Sequence, residues 1–258
     1  MRPLALLEAR GVLAVLVDID DTLTTEGKLT AQAYGALERL HAAGKIVVPV
    51  TGRPAGWCDH IARMWPVDAV VGENGAFYFF FANGGLQKRY ADTPDERRAN
   101  RQRLEGLAEK IMQAVPGCAL AADQAYRETD LAIDYCEDVP ALPLQEAERI
   151  ADLMRAAGLT AKVSSIHVNG WFGDYDKLAM TQRLFAERFG LALPAANPSI
   201  VYAGDSPNDA PMFGFFEKSV GVANVRRFAG RLAAEPKFVT RASAGAGFAE
   251  LAAHLLDA

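Results

Sequence analysis

Short apolar runs alternate along this chain with longer stretches whose apolar residues recur every three or four positions. That is the pattern of strands buried on both faces and of helices that cover them. Leu13, Val15, Leu16 and Val17 make the first run, and Ile46 to Val50 the second. Between them, Thr30 to Ala43 carries Ala33, Ala36, Leu37 and Leu40 at helical spacing and ends at Gly44, which suits an amphipathic helix closed by a glycine. Strand, helix, strand is the unit of a parallel sheet. A further run, Ala69 to Val71, leads into Gly72-Glu73-Asn74-Gly75, and an aromatic-rich strand from Ala76 to Phe81 breaks at Asn83-Gly84-Gly85, a hairpin signal.

The pattern changes from about Gln87 to Trp171. Pro94 to Val115 reads as one charged helix, Cys118 to Ala122 and Thr129 to Tyr135 as strands, Leu144 to Ala157 as a helix, and Leu159 to Ser165 and Ile166 to Phe172 as two more strands. Helix-strand-strand thus recurs as a pattern and not as a sequence repeat. Buried strands alternating with helices then resume: a helix from Asp176 to Phe189, a buried strand from Ser199 to Ala203, a short strand within Lys218 to Asn224, an edge strand near Phe238 and a helix from Phe248 to Leu256. The prediction is an α/β protein: a Rossmann-like, doubly wound parallel-sheet core from residues 1–83 and 173–258, interrupted by a smaller α+β domain at 84–172.

With 258 residues, 50% of them hydrophobic and 23% charged, the chain has the profile of a globular protein. A net charge of -5 argues against a broad surface for phosphate backbones, so no nucleic-acid partner is expected. No apolar stretch is long enough to span a bilayer, and Glu8 and Arg10 interrupt the apolar N-terminus, so no membrane partner is expected and the protein reads as cytoplasmic. Cys58, Cys118 and Cys136 match neither a zinc nor a redox spacing and read as small hydrophobes in a reducing compartment.

Ligands of open parallel sheets gather beyond the carboxyl ends of the strands. Three polar clusters begin where strands end: Asp18-Ile19-Asp20-Asp21-Thr22, Thr51-Gly52-Arg53, and Gly204-Asp205-Ser206-Pro207-Asn208-Asp209. Lys177 opens a helix at the same rim. Asp18, Asp20 and Asp21 crowd carboxylates against a buried strand, where they repel one another and resist desolvation unless a cation sits among them. Singly, each piece has a plainer reading as a turn, a helix cap or a solvated lysine. In order, each at a strand end or helix start, they form a set.

That set resembles the haloacid dehalogenase-like superfamily of aspartate-nucleophile phosphohydrolases. The resemblance rests on Asp18, Asp20 and Thr22 as Asp-x-Asp-x-Thr, on Thr51, on Lys177, and on Gly204, Asp205 and Asp209 as Gly-Asp-x-x-x-Asp. An insert between the second and third motifs resembles the type-two cap branch. Its subgroup includes the Cof-like, sucrose-phosphate, mannosylglycerate-phosphate and trehalose-phosphate phosphatases and the phosphomannomutases. The resemblance implies Mg²⁺-dependent hydrolysis of a small phosphomonoester, such as a sugar phosphate, through an aspartyl-phosphate. It implies Asp18 as nucleophile and Asp20 as general acid and then base. Thr51 and Lys177 are implied as partners of the phosphoryl oxygens. The implied metal ligands are Asp18, the Asp20 carbonyl, Asp205 and Asp209, the last as ligand or orienting group.

Substrate-side residues are expected around this centre: Thr22, which also shapes the loop holding Asp20, and Gly52, Arg53, Glu73, Asn74 and Asn208. In the insert, Arg127, Glu128, Lys162, His167 and Asn169 lie at or beside strand ends, and Arg127 and His167 are the candidates there, His167 also reading as a core histidine. Three other functions use the same residues. A phosphomutase returns the phosphoryl group to a sugar hydroxyl. A signalling receiver keeps it on the aspartate, but its phosphorylated Asp follows a later strand. A binding protein without turnover lacks one of the reactive residues, and here none is missing.

Overall fold

The computed structural model describes residues 1–257. The chain begins with β1 (Arg2–Pro3), β2 (Ala14–Val17), α1 (Ala31–Ala42), β3 (Ile46–Pro49), α2 (Ala55–Met64), β4 (Val70–Gly72) and a hairpin of β5 (Phe77–Ala82) and β6 (Gly85–Tyr90). The insert follows as α3 (Pro94–Leu104), α4 (Leu107–Ala114), β7 (Ala119–Leu120), β8 (Leu131–Asp134), α5 (Leu144–Ala156), β9 (Thr160–Val163) and β10 (His167–Trp171). The core then resumes with α6 (Lys177–Leu184), α7 (Leu193–Ala196), β11 (Ile200–Gly204), α8 (Ala210–Phe215), β12 (Lys218–Gly221), β13 (Phe238–Val239) and α9 (Ala244–Leu256).

The main sheet has the order β1-β13-β12-β11-β2-β3, every pair parallel. Apart from the exposed edge strand β1, its strands are largely buried on both faces, as their apolar runs require. Val15, Val17, Val47 and Val201 pack with Leu37 and Leu40 of α1 and Phe248 and Leu251 of α9. Leu16, Val48, Ile200 and Tyr202 pack on the other side with Met180 and Leu184 of α6 and Met212 and Phe213 of α8. The chain runs from β2 outward to β3 and, on its return, from β11 outward to β12 and β13. β2 and β11 therefore lie side by side at the switch point of the sheet, where the carboxyl ends open a crevice. Val17 pairs with Ala203, and the Asp18 amide donates to the Ala203 carbonyl at 2.9 Å.

A parallel bridge from Val50 to Val71 joins the antiparallel sheet β4-β5-β6 to this core. The expected insert boundary at residue 84 falls inside the hairpin, because Gly85–Tyr90 pairs along its length with β5. Phe77 and Phe79 stack on each other, and Tyr90 meets both edge-on, which ties β6 to the core. The insert proper carries its own antiparallel sheet, β7-β8-β10-β9, and its own core, in which Ile111 of α4 and Ile150 and Met154 of α5 cover Ile133 and Val168.

Other expectations change for local reasons. The helix expected over Pro94 to Val115 is two, because Gly106 takes φ +82° between them. The strand near Phe238 is not an edge: β13 lies between β12 and β1, and a strand as short as Arg2–Pro3 has no periodicity to read. Leu13 is exposed, and the first strand starts at Ala14. Among the described residues no helix is long and apolar enough to cross a membrane.

One loop positions much of the rest. Glu73, Asn74 and Gly75 take successive φ values of +41°, +54° and +104°. Conformations of this kind persist only where surrounding contacts impose them. Here the Glu73 amide donates to the Arg53 carbonyl and the Asn74 amide to the Thr51 carbonyl, both at 3.1 Å. A Cβ on Gly75 would lie 2.0 Å from the Asp176 carbonyl oxygen, next to Lys177 at the start of α6. The loop is thus seated between the second and third motifs. Gly75→Ala should lower stability by about 2–4 kcal/mol in urea unfolding. A loss below about 0.5 kcal/mol would mean that α6 does not rest on this loop as described.

Candidate active site

The crevice at the switch point gathers Asp18 from the end of β2, Asp205 and Asp209 from the loop after β11, and Lys177 from the start of α6. All four are buried. Lys177 Nζ donates to Asp18 Oδ1 and to Asp209 Oδ1, each at 2.7 Å. Burial alone would lower the Lys177 ammonium, but the two carboxylates outweigh it and hold it above its ordinary value. Asp209 has no capacity left, since Tyr202 Oη also donates to Oδ1 at 2.5 Å and the amides of Asp205 and Ser206 donate to Oδ2 at 2.9 and 3.2 Å. Four bonds use the acceptor capacity of a carboxylate. In this arrangement Asp209 orients Lys177 and folds the loop of the fourth motif.

Asp205 is the unbalanced member. Its carboxylate accepts from Asn224 Nδ2 at 2.9 Å and from Thr22 Oγ1 at 3.4 Å, and it has no ion-pair partner among the described residues. Burial, with Asp18 and Asp209 adding to it, pushes its carboxyl well above the usual range. Burial likewise pushes Asp18 up to about 8 against the pull of Lys177. One oxygen each from Asp18, Asp205 and Asp209 lie within 4.8 Å of one another. Several carboxylates against one ammonium leave buried negative charge uncompensated, and an all-oxygen donor set suits a hard divalent cation. The residues therefore fit Mg²⁺.

The Asp20 carboxylate points elsewhere. Arg53 grips it through Nε at 2.9 and 3.0 Å and Nη2 at 2.8 Å, so a metal contact from Asp20 is left to its carbonyl. Arg53 also bonds Glu137 and, at 3.3 Å, Asp123 of the insert. Thr51 is fully buried, and its Oγ1 accepts from the Arg53 amide at 3.0 Å. Above Asp18 and Asp20 the β9–β10 turn closes the crevice to a throat of about 10 Å³, lined by Gly52 and Asn208 from the core and by His167 and Asn169 from the insert.

Known proteins resemble this one over part of its sequence and in its fold. Residues 15–96 match the family model described as haloacid dehalogenase-like hydrolase. Over that stretch the chain is similar to haloacid dehalogenase-like hydrolases. No curated protein matches its sequence significantly. Its fold is shared by a Thermoplasma acidophilum protein with a TM-score of 0.70 and 17% identity, over 95% of this chain and 98% of that one. A putative HAD/Cof-like hydrolase from Plasmodium vivax gives 0.69 and 17% over 96% of each chain. The sucrose-phosphatase from Synechocystis sp. PCC6803, solved with sucrose and phosphate, gives 0.63 and 14% over 94% of this chain and 97% of that one.

Several residues expected beside substrate do other work. Glu73 is fully buried and accepts from the amide of Ala55 at 2.9 Å, from those of Glu128 and Thr129 at 2.9 and 2.6 Å, from that of Asp130 at 3.3 Å, and from the Thr129 hydroxyl. Burial and the nearby Asp130 push it up to about 7. It fastens the insert, which forms the cap, to the core. Arg127 is also buried: Nη1 donates to the Gly52 carbonyl at 2.9 Å and to Asp130 at 3.0 Å, while Nε and Nη2 hold Asp123. Thr22 faces Asp205 and not the crevice mouth. Asn74 lies against Gly52 and accepts from Asn208 at 3.4 Å, and its Nδ2 has no partner. Glu128 pairs outward with Tyr90, Lys88 and Arg97. Tyr202 carries the one signal that sequence reading passed over, a phenol inside a fully buried strand, which needs a hydrogen-bond partner there. Asn224, Asp123 and Glu137 carry none.

Two outcomes follow. Glu73→Ala leaves buried amides without an acceptor and should cost about 3 kcal/mol or more while accelerating hydrogen exchange at residues 128–130. Unchanged protection there would place the cap's anchorage elsewhere. In metal-free protein, Asp18 and Glu73 stand at about 8 and about 7 and Asp205 well above its ordinary value, against unfolded values of 3.8 and 4.5. Groups raised in this way stabilise the fold in full below about pH 4 and lose that contribution as pH climbs through their folded values. Lys177, raised above 10.5, and Glu137, held down to about 2, do not change across this window. The melting temperature in EDTA should therefore fall from about pH 5 to pH 8, and Mg²⁺ should recover the loss at the alkaline end. An EDTA profile that is flat over that range would contradict the charge balance described.

Proposed function

We propose that this chain is a Mg²⁺-dependent phosphatase that acts on a small phosphomonoester, of sugar-phosphate type, in the cytoplasm. The observation that carries the reading is the buried pairing of Asp18 with Lys177 beside an uncompensated Asp205 at the switch point of the sheet. Mg²⁺ held by Asp18, Asp205 and the Asp20 carbonyl would supply the positive charge that lets a dianionic phosphate approach a carboxylate. Asp18 attacks phosphorus, forming the aspartyl O–P bond as the ester P–O bond breaks. Asp20 gives its proton to the departing oxygen and afterwards takes one from the water that attacks the aspartyl-phosphate, which releases inorganic phosphate and restores Asp18. Arg53 fixes the direction of the Asp20 carboxyl. Lys177 and Thr51 face the spreading charge on the phosphoryl oxygens.

The sugar-phosphate class is supported by the cap, which admits small molecules and excludes water from the crevice, and by the likeness in fold to a sucrose-phosphatase. The test is release of inorganic phosphate from para-nitrophenyl phosphate and a panel of sugar phosphates, in Mg²⁺ and in EDTA. Release should require Mg²⁺, and Asp18→Asn should reduce it by ~10³-fold or more. Full activity of that variant, or equal release in EDTA, would refute the reading.

A further inference from the structure

The crevice mouth opens into a cavity of about 610 Å³ between core and cap, with Asp20 and Arg53 on its floor. This is the space that receives the leaving group, so the inference here rests on the phosphatase reading above. Its charge is one-sided. Asp20, Asp21, Glu26, Asp123, Glu137 and Asp138 line it, and Arg53, Lys28 and Arg227 are its only basic residues among those described. Arg53 is already shared among Asp20, Asp123 and Glu137, and Arg227 lies 3.6 Å from Asp21. Glu26 and Asp138 stand without an ion pair among the described residues. Burial would raise Glu137, but His167 and Arg53 outweigh it and hold the carboxyl down to about 2, so it carries its charge.

The cavity also holds a polar group awaiting a partner: Ser165 Oγ, on its cap wall, is buried without a hydrogen bond among the described residues. His167, only 2% exposed, lies in the throat below, where its Nε2 stands 2.9 Å from Glu137 Oε2. Trp57 adds an aromatic wall. Carboxylates that accept, a hydroxyl that both donates and accepts, and an aromatic face together match the hydroxyls and C–H faces of a polyol. An ammonium on the polyol gains from the surplus of carboxylates, whereas a carboxylate or a second phosphate meets like charge in a partly desolvated space. We propose that the leaving group is a polyol, neutral or ammonium-substituted, and that the cavity rejects leaving groups bearing an anionic substituent.

Matched ligands test this: glucose 1-phosphate, glucosamine 1-phosphate and glucuronic acid 1-phosphate, which differ in one substituent. Their binding to the Asp18→Asn variant in Mg²⁺ is measured by calorimetry, and their kcat/KM on the intact enzyme by phosphate release. Glucuronic acid 1-phosphate should be weaker than glucose 1-phosphate by ~10-fold or more on both scales, and glucosamine 1-phosphate equal or better. Asp138→Asn, which removes a charge outside the Arg53 network, should narrow that gap, as should Glu137→Gln. Equal or tighter binding of the glucuronic ester, or binding of none of the three, overturns the proposal. Graded binding with no turnover removes the phosphatase reading alone, and equal turnover of all three removes this proposal alone.

Discussion

Buried negative charge in excess of its compensation is the constraint around which the molecule is built. Asp18, Asp205 and Asp209 converge where, among the described residues, Lys177 is the one cation in ion-pair contact with them, and each surrounding element answers to that crowding. The switch point brings two strand ends together, Tyr202 and two amides saturate Asp209, and a left-handed loop ending in Gly75 lets α6 come close enough to deliver Lys177. Closure by the cap lowers the local dielectric, which makes an unpaired Asp205 costly and a bound cation correspondingly favourable.

A second charge balance spans the two domains. Asp20 reaches no ammonium of its own and is answered by Arg53, which in turn draws Asp123 and Glu137 out of the cap. The Asp20 carboxylate is thereby oriented by an arginine whose other partners sit on the cap. Cap position and the set of the Asp20 carboxyl are coupled through a single guanidinium, whose fixed fork suits it to several carboxylates at once.

What the sequence disclosed follows the range of the interactions. Core strands and helices were legible because their periodicity is local, and the candidate site residues because each stands where an apolar run stops: Asp18 after Val17, Thr51 after Val50, Asp205 after Gly204. The roles of Glu73 and Arg127 were not, since Glu73 bonds amides 55 to 57 positions away and Arg127 a carbonyl 75 positions away. Polar residues at strand ends look alike whether they face a ligand or another domain. Gly106 looked like one weak helix position until its backbone showed a break.

Two of the contacts that hold the cap differ in their access to water. The Glu73 fastening is wholly buried, whereas Glu137, at the other contact, keeps a quarter of its side chain exposed. Dissolved ions screen the exposed pair and scarcely reach the buried one. The cap therefore has a hinge edge indifferent to ionic strength and a free edge that responds to it. The salt content of the surrounding solution thus bears on one edge of the cap and scarcely on the other.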